Sequence, residues 1–481
     1  MEMHYQKTAI TEIVNGGSIE LNMCPDNSSE EDPLVFIESE SESKPEEGRH
    51  HFSMTRSQYS KHILLIGGIG SGKTNTFNHI IRQTINRLED NDVAFIFDTK
   101  GDFKNTFYQG KDENHYLIGN GPAYRDITSY WNIYKELTFE QGYVQEDSDL
   151  AAKEIASQLF KGTGGQGNEF FETTAADLFA IKLIDTLRRG HMWEGQSQDK
   201  KKAALRVRKE EWNNEALLAF FSGPFMTEYP AIIARNDDFG FAKGYLGLSD
   251  DQAGNALDGQ TLGILAQLGT VVNNLFIGIF GKRDPHGPGI SMRKQVRDKC
   301  GQVVFIEYDI SIGEKLGPVY RTLIDLALKE ALGQSEEHKG NIYFFIDEFK
   351  LLPNLRHIDD ALNFGRSLGV KIVAGIQNVH QIYDIYQTER GKALFAGFMN
   401  CFAFSTPDAE TRAYVSQRLG PNYNSTHFHI GGEPQIVQRE GRVVEEWHLL
   451  NLKIGQACVD IVGVPPFMFR FEDYEQKYGK R

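Results

Sequence analysis

The chain has 481 residues, 40% of them hydrophobic, which is enough for two or three domains with buried cores and excludes a wholly disordered chain. Its formal net charge is −15, and residues 1 to 50 carry twelve acidic side chains against Lys7, Lys44 and Arg49, which argues against a passive, electrostatically held nucleic-acid binder. Cys24, Cys300, Cys401 and Cys458 form no CxxC pair or zinc spacing, and no apolar run reaches the ~18 to 20 residues that cross a bilayer, so a cytoplasmic protein with no integral membrane segment is expected.

The chain opens on a segment with little reason to fold. Residues 26–47 are Ser, Glu, Asp, Pro and Lys around one apolar island, Pro33-Leu-Val-Phe-Ile37. Low hydrophobicity with concentrated like charge does not offset ordering entropy, so residues 1–50 are expected to be a disordered acidic tail. The alternative is a partner-binding arm that docks a protein through the island.

His62-Ile-Leu-Leu-Ile66 then reads as a buried strand stopped by glycines, and Phe77, Ile80, Ile81 and Ile85 recur at helical spacing after it. A second strand, Val93-Ala-Phe-Ile-Phe97, ends at Asp98-Thr-Lys-Gly-Asp102. From about 137 to 286 the pattern changes to long helical stretches, such as 150–160 and 173–187, which predicts an all-α insertion domain. Strand-like runs return at 303–306, 342–346, 370–374 and 401–404, separated by helical runs at 319–332 and 359–368. Alternating strands and helices predict an α/β fold with a central, mostly parallel sheet, a RecA-like P-loop NTPase domain built from residues 51–136 and 287–481.

Two motifs carry chemistry. Gly67-Gly68-Ile69-Gly70-Ser71-Gly72-Lys73-Thr74 fits G-x-x-x-x-G-K-[ST] and sits between a strand and a helix, where backbone N–H groups turn inward around phosphate oxygens. Lys73 is then placed to bridge β- and γ-phosphates and the Thr74 hydroxyl to bind Mg²⁺. A dinucleotide fingerprint starting at Gly68 fails, because it needs glycine where Lys73 stands. The second motif is the apolar strand Ile342-Tyr-Phe-Phe-Ile346, which ends in Asp347 and Glu348. Asp347 is expected to hold the metal and Glu348 to act as general base toward water. No Asn-Lys-x-Asp occurs to read guanine, so ATP with Mg²⁺ is the expected pair of cofactors.

Four stretches together resemble the type IV coupling proteins, the conjugative DNA pumps within the HerA/FtsK group of ring ATPases. They are residues 67–74, Phe97-Asp-Thr-Lys-Gly-Asp102, Phe344-Phe-Ile-Asp-Glu-Phe349, and Gly365-Arg-Ser-Leu-Gly-Val370 running on to Gln377 and Gln381. The likeness continues through residues 400–404, 408–412 and 449–464. The resemblance implies that Gln377 senses the γ-phosphate and that Arg366 reaches into a neighbouring subunit's ATP, the alternatives being a strand-end capping amide and a helix-surface arginine. Asp98 and Lys100 match a family signature, and also read as a turn-forming Asp and a solvated Lys. The family usually starts with transmembrane helices, and an acidic tail stands in their place here.

Within the predicted insertion, Arg188, Arg189, Lys200, Lys201, Lys202, Arg206, Arg208 and Lys209 form a basic cluster near Trp193 and Trp212, with Arg293, Lys294, Arg297 and Lys299 beyond it. Lys200, Lys201, Lys202, Arg206 and Arg208 are the candidate DNA contacts, against the reading of a solvated helical face. The function expected is a homohexameric, ATP-driven DNA translocase. The alternative is an ATP-switched assembly or sensing module of a mobile-element or defence complex, recruiting a protein through the acidic tail.

Overall fold

The computed structural model describes residues 10–13, 17–18, 35–38, 51–110, 113–140, 142–163, 169–193, 195–246, 259–334, 340–430 and 433–479. Its centre is a nine-stranded sheet: β1 (Ile63–Ile66), β2 (Val93–Asp98), β3 (His115–Ile118), β4 (Gln302–Glu307), β5 (Ile342–Ile346), β6 (Val370–Ile376), β7 (Asn400–Phe404), β8 (Gln456–Asp460) and β9 (Phe467–Arg470), in the spatial order β9-β8-β7-β1-β6-β5-β2-β4-β3. The run β7-β1-β6-β5-β2 is parallel throughout, while β8 and β9 continue it antiparallel. Every residue of β1, β2, β5 and β6 is buried, as expected for parallel strands covered on both faces, which is why they read as mostly apolar runs, with Lys371 in β6 and Asp98 at the end of β2 as the charged exceptions.

Register decides what this sheet brings together. Ile66 of β1 lies opposite Ile376 of β6, and Ile346 of β5 lies opposite Ala374 of β6. The three strands run in the same direction, so Gly67, Asp347 and Gln377 leave the sheet at the same edge, on neighbouring tips. The stack is held by Phe95 on Phe344, with ring centroids 5.2 Å apart, and by Phe52 packed edge-on against Phe402, Phe467 and Phe469.

Part of the expected acidic tail is ordered. Val35–Glu38 pairs antiparallel with His51–Met54, and Ile10–Ile13 pairs with Pro421–Ile430, itself a hairpin partner of Glu433–Arg442. Local composition could not reveal this, because the partner supplies the stability. Phe52 and Met54 are fully buried and fix an edge on which the island can form a ladder. Gly17–Ser18 pairs antiparallel with Ile10–Ile13, and the remainder of residues 1–50 lies outside the described residues.

The chain divides into two compact units: Met1–His115 with Lys299–Phe305 and Ala331–Arg481, and Tyr116–Asp298 with Ile306–Glu330. The second unit is helical, with α2 (Gln145–Phe160), α3 (Glu169–Gly190), α4 (Gln198–Glu211), α5 (Asn214–Ser222) and α6 (Gly259–Leu275) following α1 (Lys73–Ile85) of the first. Phe179 on α3 joins Phe160, Phe221 and Phe276 in its core. Glu136 is fully buried there, accepting hydrogen bonds from Trp131, Ser291 and the backbone N–H of Met292 and Arg293. Among the described residues no single helix is long and apolar enough to cross a membrane. One bent pair, Asn214–Ser222 with Phe225–Ala234, passes on length and composition only, and its Leu217, Phe221 and Tyr229 are buried against the rest of the helical unit.

Candidate functional site

The loop after β1 is shaped by its glycines. Gly70 (φ 74°) and Gly72 (φ 113°) occupy left-handed backbone conformations that side chains disfavour. A Cβ on Gly72 would also stand 2.9 Å from the backbone of Gly455, whose N–H donates to Ser71 O at 3.0 Å. Gly67 N donates to Ile376 O (3.2 Å) and Gly68 N to Ser405 O (2.8 Å), so both flanks of the loop are fixed to neighbouring strand tips. α1 starts directly at Lys73 with no side-chain cap on its first turn, leaving N–H groups and the positive end of the helix dipole free for an anion. Lys73 Nζ folds over the loop and donates to Gly67 O (2.5 Å) and Gly68 O (3.1 Å). Burial holds its ammonium below the usual lysine range, partly offset by Glu348 and Asp347.

The two acids meet this loop from β5. Asp347 accepts a hydrogen bond from Thr99 Oγ1 at 2.7 Å, and Glu348 Oε2 accepts one from Gln377 Nε2 at 2.5 Å. Burial raises both carboxyl groups above their ordinary range, with the Thr99 and Gln377 hydrogen bonds and Lys73 pulling them down. Glu348 Oε1 is buried and has no hydrogen-bond partner among the described residues. An acceptor in that state, beside a cationic amine and an uncapped helix start, suits a water or a ligand-borne proton. These donors and acceptors fit a nucleotide with Mg²⁺: first-turn N–H groups and Lys73 for phosphate oxygens, the Thr74 hydroxyl and Asp347 for the metal.

Asp98 does something different. Its carboxylate accepts the backbone N–H groups of Lys100, Gly101 and Lys104 at 2.8 to 3.3 Å, closing the turn into the helix Asp102–Phe107. Burial pushes it up to about 6 despite those bonds. Lys100 is exposed.

Two positions to which the motifs assign no role complete the site. Thr99 orients Asp347. Gly375 lets β6 approach β5, since a Cβ there would lie 2.2 Å from Asp347 O. Thr99 does follow the apolar strand Val93–Phe97 by two residues, but only the β2–β5 adjacency gives it meaning.

Arg366 is not brought to this edge. It is exposed on the 3₁₀ turn Gly365–Leu368 that precedes β6, with a long 3.5 Å contact to Ser57. β6 has seven residues, roughly 20 Å at about 3.3 Å per residue, and Gln377 follows its far end. Arg366 therefore does not share the site of its own chain.

The candidate DNA-contacting residues separate in the helical unit. Arg206 pairs with Glu210, and Arg208 donates to Gly190 O, while Lys200, Lys201 and Lys202 make no ion pair among the described residues. Most of the surrounding arginines are committed: Arg188 to Asp149 and Asp238, Arg189 to Asp185 and Glu211, Arg293 and Arg297 to Glu330. Much of the basic run is thus neutralised inside the unit.

A parallel sheet with a phosphate loop at one tip and paired carboxylates two strands away is the architecture of the RecA-like P-loop NTPases. Within that class the chain belongs to the type IV secretion-system coupling proteins: the family described as "Type IV secretion-system coupling protein DNA-binding domain" matches residues 51–223 and 263–424. The chain is 25% identical over 146 residues to coupling protein TraD of Escherichia coli (strain K12), which is 30% of this chain and 20% of TraD. It is 27% identical over 118 residues to the probable conjugal transfer protein TraG of Sinorhizobium fredii (strain NBRC 101917 / NGR234), 24% of this chain and 18% of TraG. The matched part thus spans about a fifth of those relatives' length. Among solved structures, the unbound monoclinic form of the bacterial conjugative coupling protein TrwBdeltaN70 superposes with a TM-score of 0.63 at 22% identity, covering 89% of this chain and 88% of that one. Plasmid coupling protein TrwB in complex with the ATP analogue ADPNP gives 0.64 at 19% identity (92% and 95%), and TrwB with ADP and Mg²⁺ gives 0.60 at 21% (88% and 87%). These likenesses establish the shared fold.

Proposed function

We propose that the chain is a Mg²⁺-dependent ATPase that moves DNA, working as a homohexameric ring. The observation that carries the reading is the convergence, by strand register, of Lys73 and Thr74, Asp347 and Glu348, and Gln377 on one sheet edge. The TrwB structures with ADPNP and with ADP and Mg²⁺ support the choice of nucleotide and metal, and the match to a DNA-binding family supports the substrate.

The loop N–H groups and Lys73 bind the triphosphate and hold its γ-phosphoryl group near Glu348. Thr74 and Asp347 would hold Mg²⁺, which would supply positive charge to offset that on the phosphate oxygens. Glu348 accepts the proton of the attacking water. Gln377, tied to Glu348, orients that carboxylate and reports whether a γ-phosphate is present. Arg366 serves the ATP of the next subunit, since it lies at the wrong end of β6 for its own.

The alternative of an assembly module that docks a protein through residues 33–37 is disfavoured by the pairing of Val35–Glu38 with His51–Met54, which occupies one edge of that segment. The test is ATP turnover with and without single- and double-stranded DNA, with the mass of the nucleotide-bound particle measured in parallel. DNA is expected to stimulate turnover. Lys73→Ala and Glu348→Gln are expected to lower it by about 10² or more. Turnover indifferent to every DNA form would remove the translocase reading while leaving the ATPase.

A further inference from the structure

The helical unit contains an open cavity of about 970 Å³, formed where residues 130–142, 208–215 and 282–288 meet. Its walls are built rather than loose. Asn132 Nδ2 donates to Trp212 O and Pro288 O, both at 2.9 Å, and its Oδ1 accepts from Tyr134 N. Asn214 Nδ2 donates to Trp131 O (2.9 Å) and Phe280 O (2.8 Å), and its Oδ1 accepts from Ile133 N (2.9 Å). Two buried asparagines thus tie all three segments together, so the cavity's shape is set before any ligand arrives.

Its charge runs against that of the chain. Lys135, Arg208, Lys209, Lys282 and Arg283 line it, opposed by Glu140, Glu215 and Asp284. None of the five cations makes an ion pair among the described residues. Arg208 is the telling one. Neighbouring arginines of comparable burial each meet a carboxylate, whereas the Arg208 guanidinium lies 5.1 Å over the Trp212 ring, donates Nε–H to Gly190 O at 2.6 Å, and meets none. Burial lowers its pKa, and burial together with Lys294 lowers that of Lys135, so both are cations short of a counter-charge. Lys209, Lys282 and Arg283 are exposed at the rim, and cations spread over three segments suit successive phosphates better than one small anion.

We infer that this cavity holds the phosphodiester backbone of a DNA strand, with Arg208 and Lys135 as inner contacts and Lys209, Lys282 and Arg283 as outer ones. This rests on the proposed DNA substrate and moves the contact surface from Lys200, Lys201 and Lys202 of α4 to the cavity.

The test is fluorescence anisotropy of a labelled oligothymidylate over a salt series. Lys135→Gln/Arg208→Gln/Lys282→Gln is expected to bind at least tenfold more weakly and to lower the slope of log K against log salt by about 2, at ~0.7 per lost single-strand contact. Lys282→Glu/Arg283→Glu changes only exposed, unpaired side chains, so its fold is not at risk, and it should also lose at least tenfold. Lys200→Gln/Lys201→Gln/Lys202→Gln should stay within about threefold of wild type. Cavity variants that bind like wild type, or a loss confined to the 200–202 variant, would overturn the inference while the DNA reading stands. Wild type that binds no DNA would overturn both. Displacement of the oligonucleotide by thymidine monophosphate at equal phosphate concentration would assign the cavity to a free nucleotide instead of a strand.

Discussion

Gly375→Ala is the smallest change expected to disable the site without touching a reacting group. A Cβ at this position would lie 2.2 Å from Asp347 O, 3.2 Å from Asp347 C and 3.1 Å from Phe77 Cε2. Carbonyl oxygens do not tolerate a methyl group much inside 3 Å, so β5 and β6 must separate locally by about 1 Å. Both sides of that gap carry the site: Asp347 and Glu348 follow β5 directly, and Gln377 follows β6. A shift of this size stretches the 2.5 Å Gln377–Glu348 hydrogen bond beyond useful length and displaces Asp347, the proposed metal ligand. Overpacking of this kind costs about 1 to 3 kcal/mol of stability, and a 1 Å misplacement of catalytic groups can cost about 10²-fold in rate. The expected result is a kcat for ATP hydrolysis down by about 10², a KM for ATP within a few-fold because the loop is intact, and a melting temperature lowered by a few degrees. Steady-state phosphate release and thermal unfolding measure all three. A Gly375→Ala protein with wild-type kcat and wild-type melting would refute the claim that close β5–β6 approach sets the geometry.

Thr99→Val keeps the shape of the side chain but leaves Asp347 without its hydroxyl donor, so a loss of about 1 to 3 kcal/mol and a several-fold higher Mg²⁺ requirement are expected; an unchanged Mg²⁺ titration of ATP turnover would count against the assigned role. Arg366→Ala and Lys73→Ala should each be inactive alone, yet mixing the two should restore turnover, because the Lys73→Ala subunit still lends its arginine. No recovery on mixing would mean that Arg366 does not act between subunits. His62 is buried, its Nδ1 accepts the Ile372 N–H at 3.1 Å, and burial lowers its pKa from 6.5 to about 4. The unfolded state therefore binds a proton first on acidification, and the fold loses about 2 kcal/mol between pH 7 and 5 through this group. Urea unfolding at the two pH values should show that part of the loss absent in His62→Gln, and equal pH sensitivity in both proteins would exclude the linkage.

The parts legible in the sequence were those whose meaning is contiguous. Residues 67–74 carry strand end, glycine turns, lysine and hydroxyl within one short stretch, and Asp347 and Glu348 close a short apolar run that reads as a buried strand. The parallel sheet followed from the alternation of such runs with helices. What stayed hidden depends on which strands become neighbours. Thr99 is an ordinary threonine until β2 lies beside β5, and Gly375 is an ordinary strand glycine until Asp347 O is 2.2 Å from where its Cβ would be. Charge misled in a similar way, because Arg188, Arg189, Arg293 and Arg297 read as a basic cluster in one dimension and as ion pairs in three. The strand at Val35–Glu38 was obscured because its stabilising partner, His51–Met54, begins thirteen residues further along and owes its fixed position to aromatic packing elsewhere in the sheet.

The sheet also sets a geometric condition on mechanism. In a parallel sheet the carboxyl ends of all strands share one edge, and β1, β5 and β6 deliver every group assigned to ATP there. Arg366 sits before the amino end of β6, so the strand itself, roughly 20 Å long, separates it from Gln377. No side-chain rotation spans that distance, since an arginine reaches only about a third of it. If Arg366 neutralises charge on a transferred phosphoryl group, a second copy must present it. Phe364, two residues away and 66% exposed, is then a natural apolar contact beside it, just as Ile69 (82%) and Ile454 (75%) stand exposed around the phosphate loop. Two different patches of one chain, each bearing part of one site, make a head-to-tail contact, and contacts of that kind close only as rings or continue as filaments. Coupling of hydrolysis to assembly thus follows from strand direction once the arginine is given its role.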